Sequence, residues 1–201
     1  MSIVNEHQLV ALVDSDDNEV GVAEKLDAHR NGGLLHRAFS IFLLNDRCQM
    51  LLQRRASGKY HCPGMWSNSC CGHPRPGHDI IAEAGMRLRV EIGVTAGISR
   101  IGTVSYRLPL DNDFTEWELD HVLVGHYSGP VTPNPAEVDD VQWVFSDDLK
   151  NALKDRSQSF TPWFSLILSK EIRWLTKTSQ HSQSSNPVLQ CLCRFQSSRR
   201  I

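Results

Sequence analysis

The chain alternates short apolar stretches with polar turns, and most of the stretches have the length and period of strands. Residues 3–13 read as a strand, and Asp14-Ser15-Asp16-Asp17-Asn18 as a turn into a second apolar stretch at Val20–Val22. Glu24–Arg30 reads as a short helical turn that stops at Gly32-Gly33. His36–Leu44 is a mostly apolar strand, turned by Asn45-Asp46-Arg47 into a partner strand at Cys48–Arg54. A polar loop carrying Arg55 and Lys59 then leads to Pro63–Pro74, where Pro and Gly at both ends predict a shaped loop. In an extended backbone there, Cys71 and His73 point the same way.

From Asp79 to Ile92 the period changes to that of a helix, with Ile81, Ala84, Leu88 and Ile92 on one face and Gly93 as its stop. Arg87 and Glu91, four apart, share another face. Strands follow at Ile101–Leu108 and Glu116–Tyr127, around a polar turn at Asp111-Asn112-Asp113. The two-residue period puts Glu116, Glu118 and Asp120 on one face, which turns apolar at Val122 and Val124, as at the lip of a pocket. A short strand at Val141–Phe145, a helix capped by Ser146 and a helix over Trp163–Leu175, begun by Thr161-Pro162, complete the pattern. From Thr176 on, Ser, Gln and Asn dominate, so residues 176–201 are expected to form a disordered tail behind a single domain of residues 1–175. Hairpins, one central helix and late helices predict an α+β fold or mixed sandwich, with a sheet that is not all parallel because several connections are too short for crossovers.

Composition narrows the classes without changing this picture. At 40% hydrophobic and 22% charged, 201 residues suffice for one domain with a sizeable core. A net charge of −2 gives no global attraction to nucleic acid or membrane. Residues 1–20 lack the basic start and apolar core of a signal peptide, and no apolar run approaches the roughly 20 residues that span a bilayer. The six cysteines are expected as free thiols in a reducing compartment, with Cys191 and Cys193 as exposed tail thiols; the cytoplasm follows as the default location.

Candidate chemistry comes from separate regions. His29, His36 and His73 with Glu116 and Glu118 make a nitrogen-and-oxygen metal site if the fold unites them, suited to zinc, manganese or iron rather than calcium. The alternatives are a structural zinc knuckle from His61, Cys62, Cys71 and His73, or histidines that each satisfy a local partner. Lys25, Arg55, Lys59 and Arg87 are cations that fit phosphate oxygens, or solvated surface charge.

Several pieces together resemble the type 1 isopentenyl-diphosphate delta-isomerase family. They are His29, the run His36-Arg37-Ala38-Phe39-Ser40, Arg54-Arg55, the stretch Pro63-Gly64-Met65-Trp66-Ser67-Asn68-Ser69-Cys70-Cys71-Gly72-His73-Pro74, and Glu116-Trp117-Glu118. The resemblance runs from about Leu9 to Leu175 and implies a Nudix-like mixed β-sheet sandwich with flanking helices. Gly72, Leu88, Glu91, Gly93 and Val94 fit a degraded Nudix box, in which Met86, Arg87 and Val90 stand where Arg, Glu and Glu are expected. The lost acids argue against hydrolysis of a diphosphate, and Arg87 supplies a cation suited to binding one. Cys62 departs from the pattern, standing where an aromatic is expected before Pro-Gly; the tail has no counterpart.

The resemblance implies conversion of isopentenyl diphosphate to dimethylallyl diphosphate. A proton is added at the terminal methylene, a tertiary carbocation-like state forms, and a proton leaves C2. Such a step needs an acid and a base on opposite faces of a flat alkene and little water nearby. By resemblance Cys71 and Glu118 are that pair, Tyr106 hydrogen-bonds the glutamate, and Trp163 offers its π face to the cation. His29, His36, His73, Glu116 and Glu118 hold a divalent metal (Mn, Zn or Mg). Magnesium bridges the diphosphate, Glu91 and the Cys71 backbone carbonyl, and Lys25, Arg55, Lys59 and Arg87 hold the diphosphate oxygens. The expected partner is this small diphosphate alone, with the protein a monomer or weak dimer.

Overall fold

A computed structural model describes residues 8–111, 113–169 and 191. Strand β1 (Leu9–Val13) pairs antiparallel with β2 (Glu19–Glu24), and α1 (Lys25–His29) follows directly. The central strand β3 (His36–Leu44) turns into β4 (Met50–Arg55), as the apolar pattern predicts. The Pro63–Pro74 stretch is more regular than a loop: it holds β5 (Trp66–Ser67) and β6 (Cys70–Gly72). Helix α2 spans Ile80–Ile92, β7 Ile98–Pro109, β8 Thr115–His126, β9 Val138–Val144 and α3 Ser146–Asp155. Residues 162–169 are helical, beginning at Pro162 as predicted; the rest of the helix expected to reach Leu175 lies outside the described residues, as does the start of the strand expected over residues 3–13.

The sheet is mixed. β3 runs parallel to β8 over nine paired positions and antiparallel to β4 and β6, while β7 flanks β8 and β9 flanks β4, both antiparallel. All nine residues of β3 are buried, so it packs on both faces. Phe39, Ile41 and Leu43 meet Ala84, Leu88 and Ile92 of α2 on one side. Phe42 and Leu44 meet Val122, Val124, Phe164 and Ile167 on the other. Each fully buried Leu or Ile contributes about 1.5–3 kcal/mol relative to exposure.

The ends of α2 follow the predicted chemistry. Asp79 caps it by accepting the Ala82 N–H at 2.8 Å, and Gly93 ends it in the left-handed region at φ 69°. A Cβ at Gly93 would come within 2.7 Å of the Thr132 carbonyl oxygen, so both conformation and space demand glycine.

Two expectations are corrected. Ser146 is the first residue of α3 rather than its cap; Phe145 holds that position with no side-chain bond, and the Ser146 hydroxyl turns to Asp147 instead. Cys48 and Cys191 are joined in a disulfide across 143 residues of chain, so these two are not free thiols, and Cys191 is buried against the core rather than exposed. A turn position and a polar-tail position so far apart give no sequence cue to each other. Cys62, Cys70 and Cys71 are free as expected; Cys193 and the expected tail otherwise lie outside the described residues. No helix among the described residues is long and apolar enough to cross a membrane.

Candidate functional site

Five of the predicted residues converge on one point. His29, His36, His73, Glu116 and Glu118 each bring a nitrogen or oxygen within 4.8 Å of all the others. Local structure explains each placement. His29 closes α1, and its Nδ1 bonds the Lys25 carbonyl one turn back at 2.5 Å. His36 opens β3, with Nδ1 on the Leu34 carbonyl at 2.8 Å. Glu116 and Glu118 lie on one face of β8, and the parallel register sets Glu118 opposite His36. His73 enters from the end of β6, its Nε2 2.9 Å from Glu118 Oε1.

The donor set fits a divalent cation. With Nδ1 of His29 and His36 committed to backbone carbonyls, each Nε2 presents a lone pair inward, and both Nε2 atoms are buried without a hydrogen-bond partner. His29 Nε2 lies 3.1 Å from Glu116 Oε2 and His36 Nε2 3.6 Å from Glu118 Oε1, close but without hydrogen-bond geometry. Buried imidazole nitrogens such as these two, crowded against carboxylate oxygens without bonding them, are the arrangement an ion satisfies. Burial acts to raise Glu116, yet His29 and His61 hold it well below the usual carboxylate range. Glu118 is raised by burial and by Glu116, but the His36 and His73 contacts leave it lowered. Burial takes His73 down to about 3, so it stays a neutral ligand. Among the described residues no zinc knuckle forms: His61 faces Glu116, and the Cys71 thiol faces Asn68.

In front of this cluster opens a pocket. Cys71 and Glu118 both line it, with Tyr106 and Trp163. Lys25, Arg55, Lys59 and Arg87 line the same pocket, beside Glu91. Burial, with Arg87 and Lys59 nearby, lowers Lys25 to about 8. Arg87 bonds Glu91 at 2.5 Å, the helical pairing the spacing predicts, and also reaches Glu137 at 2.9 Å. Burial raises Glu91, but Arg87 and Lys59 outweigh it and hold it lowered. Arg55 lies 5.4 Å over the Trp163 ring.

The Cys71 thiol is protonated by its setting: burial, aided by the Asp120 charge, pushes it up to about 12. It donates to Asn68 Oδ1 at 3.0 Å, and Asn68 is itself fixed through its amide to the Ile41 and Cys70 carbonyls. This is why an asparagine stands three residues before the cysteine. The thiol also lies 3.6 Å from the Ser40 hydroxyl, which donates to Asp120 Oδ2 at 2.7 Å. Tyr106 contacts Asp120 at 3.2 Å and donates to Glu118 Oε2, so polar contacts run without a break from Cys71 to Glu118. Burial and the Glu118 charge push Asp120 well above the usual carboxylate range.

Sequence reasoning brought Ser40, Asn68 and Asp120 into view without giving them roles. The signal was present: Ser40 is four residues beyond His36 on the same strand face, and Asp120 two beyond Glu118. His61 appeared only as a candidate knuckle ligand and is here a partner of Glu116 at 3.0 Å.

Residues 34–164 match the NUDIX domain family, which defines the class of protein. Solved structures agree on the fold. A protein from Deinococcus radiodurans superposes with a TM-score of 0.58 at 17% identity, covering 93% of this chain and 98% of that one. The MutT protein from Methanosarcina mazei Go1 gives 0.56 at 17% identity, covering 72% and 95%. Relatives narrow the class. The chain is 41% identical over 163 residues to isopentenyl-diphosphate Delta-isomerase 2 of Aromatoleum aromaticum, covering 81% of this chain and 86% of that protein. It is 43% identical over 162 residues to isopentenyl-diphosphate Delta-isomerase of Streptomyces avermitilis, covering 80% and 81%. The chain belongs to the isopentenyl-diphosphate Delta-isomerase family, within the Nudix fold.

Proposed function

We infer that this protein interconverts isopentenyl diphosphate and dimethylallyl diphosphate, moving a carbon–carbon double bond by adding one proton and removing another. The observation that carries the reading is a thiol, Cys71, and a carboxylate, Glu118, lining one pocket whose wall also bears four cations. The thiol and the carboxylate are the acid–base pair on either side of the alkene; positioned proton transfer of this kind is worth about 10²–10⁴-fold in rate. Tyr106, bonded to Glu118, orients that carboxylate and passes its proton. The Trp163 ring faces the positive charge that develops at the tertiary carbon. Lys25, Arg55, Lys59 and Arg87 hold the diphosphate, and their charge keeps it from drifting out of register with the pair.

His29, His36, His73, Glu116 and Glu118 would hold Mn, Zn or Mg, and Glu91 with the Cys71 carbonyl would hold the Mg that accompanies the diphosphate. When bound, the ion at the histidines orients Glu118 and sets its acidity. Arg87 occupies a box position where a hydrolase carries an acid, which favours holding a diphosphate over cleaving it. Residues 1–175 are the isomerase domain in this reading, with residues 176–201 a C-terminal tail; within it Cys191 is joined to Cys48. The protein works as a monomer or weak dimer, without a nucleic-acid or membrane partner, in keeping with its net charge of −2.

Incubation with isopentenyl diphosphate and a divalent metal tests the reading by proton NMR. The expected product is dimethylallyl diphosphate with no inorganic phosphate; phosphate release without the isomer overturns it.

A further inference from the structure

Glu116 spends its two oxygens on two different imidazoles. Oε2 lies 3.1 Å from Nε2 of His29, inside the cluster of metal donors. Oε1 lies 3.0 Å from Nε2 of His61, which is not among those donors. His61 stands between β4 and β5, with its side chain only 11% exposed and its ring 5.6 Å from Trp163. Its backbone carbonyl accepts from the Arg55 guanidinium at 3.2 Å, which fixes the segment that carries the ring.

We infer that His61 is a positioning residue that holds Glu116 in its metal-facing orientation. A carboxylate rotates readily about its terminal torsion, and both oxygens compete for a cation. The 3.0 Å contact of His61 Nε2, which the Arg55 guanidinium also approaches at 3.4 Å, restricts Oε1 and leaves Oε2 turned toward His29 and the ion. Outer contacts of this kind typically affect metal affinity by about 10–100-fold. The inference rests on the reading of the five-residue cluster as a metal centre, and the test separates the two.

The probe is Mn²⁺ alone, titrated into the full chain after chelation and dialysis, with affinity read by competition against a chelator. H61A is expected to bind Mn²⁺ about 10–100-fold more weakly. H61Q, whose amide nitrogen reaches the same place beside Oε1, is expected to recover most of that loss. H61N, too short to reach, is expected to resemble H61A and replaces it if H61A does not fold. Unchanged affinity in both H61A and H61N, or a folded H61Q no better than H61A, overturns the role of His61. H29A is the control: if it too leaves Mn²⁺ affinity unchanged, the metal-centre reading itself fails. Weakened H29A with unchanged H61A and H61N removes only the positioning role.

Discussion

The parallel β3–β8 pair is one ladder with two unlike ends. At its start His36 lies opposite Glu118 and Ala38 opposite Asp120; farther on Ser40 lies opposite Val122 and Phe42 opposite Val124. Both ends are equally dry, with Glu118 7% and Val124 3% exposed. The apolar end meets Phe164 and Ile167 and is stable by burial alone. The polar end buries carboxylates, which costs several kcal/mol per ion unless partners converge on them. Three histidines, Tyr106 and Ser40 supply those partners. The backbone is the same along the whole ladder, so the chemical end is a core strand pair with its side chains exchanged. Its precision is borrowed from the packed end.

The comparison breaks most sharply at Glu118. Glu118→Gln keeps the shape but removes a charge that His36 and His73 face. Turnover is expected to vanish and metal affinity to fall by more than about 10-fold. Full rate at full metal occupancy refutes the assignment. Cys71→Ser comes next. The hydroxyl still reaches Asn68 but is a different acid, and the expected loss is on the order of 10²-fold or more with metal binding retained. Near-normal turnover removes Cys71 from the chemistry.

Much of this division was legible before any coordinates. The alternation Glu116, Glu118, Asp120, Val122, Val124 states in five residues that one face changes from acid to core. The helix period of residues 79–92 and Gly93 located α2, because caps and glycine stops act locally. What stayed hidden depends on distant pairing. That His36 opposes Glu118 follows from a parallel register between strands about 80 residues apart, which no local period encodes. The family resemblance supplied that juxtaposition instead. His61 escaped because a histidine beside a cysteine and Pro-Gly reads as turn chemistry, and its partner lies on β8. Asn68 was quoted as part of a motif, but its role as acceptor for the thiol needs the short β5–β6 turn to be seen.

The apolar end is sharpened by Leu44→Ala. Leu44 is fully buried, so the substitution is expected to cost about 2–5 kcal/mol of stability. In protein that remains folded, turnover should be nearly unchanged, because the imidazole end of β3 is roughly 26 Å away at about 3.3 Å per residue. A large loss of turnover without loss of fold means the two ends are coupled more tightly than packing alone requires.

The smallest effect on chemistry is expected at the Cys48–Cys191 disulfide. Cys48 lies in the turn that follows the apolar end of β3, and Cys191 packs beside Phe42 and Leu44. A crosslink of this kind stabilises chiefly by restricting the unfolded chain, typically by about 2–4 kcal/mol. That contribution does not reach the site at the other end of the ladder. Replacing both residues, Cys48→Ala with Cys191→Ala, is therefore expected to lower the melting temperature and leave turnover and metal affinity as they were. Measured together by thermal unfolding, isomer formation and Mn²⁺ titration, these quantities should separate. If turnover falls while the fold is retained, the segment that carries Cys191 shapes the pocket through Phe164 and Trp163, and the two ends of the ladder are not independent.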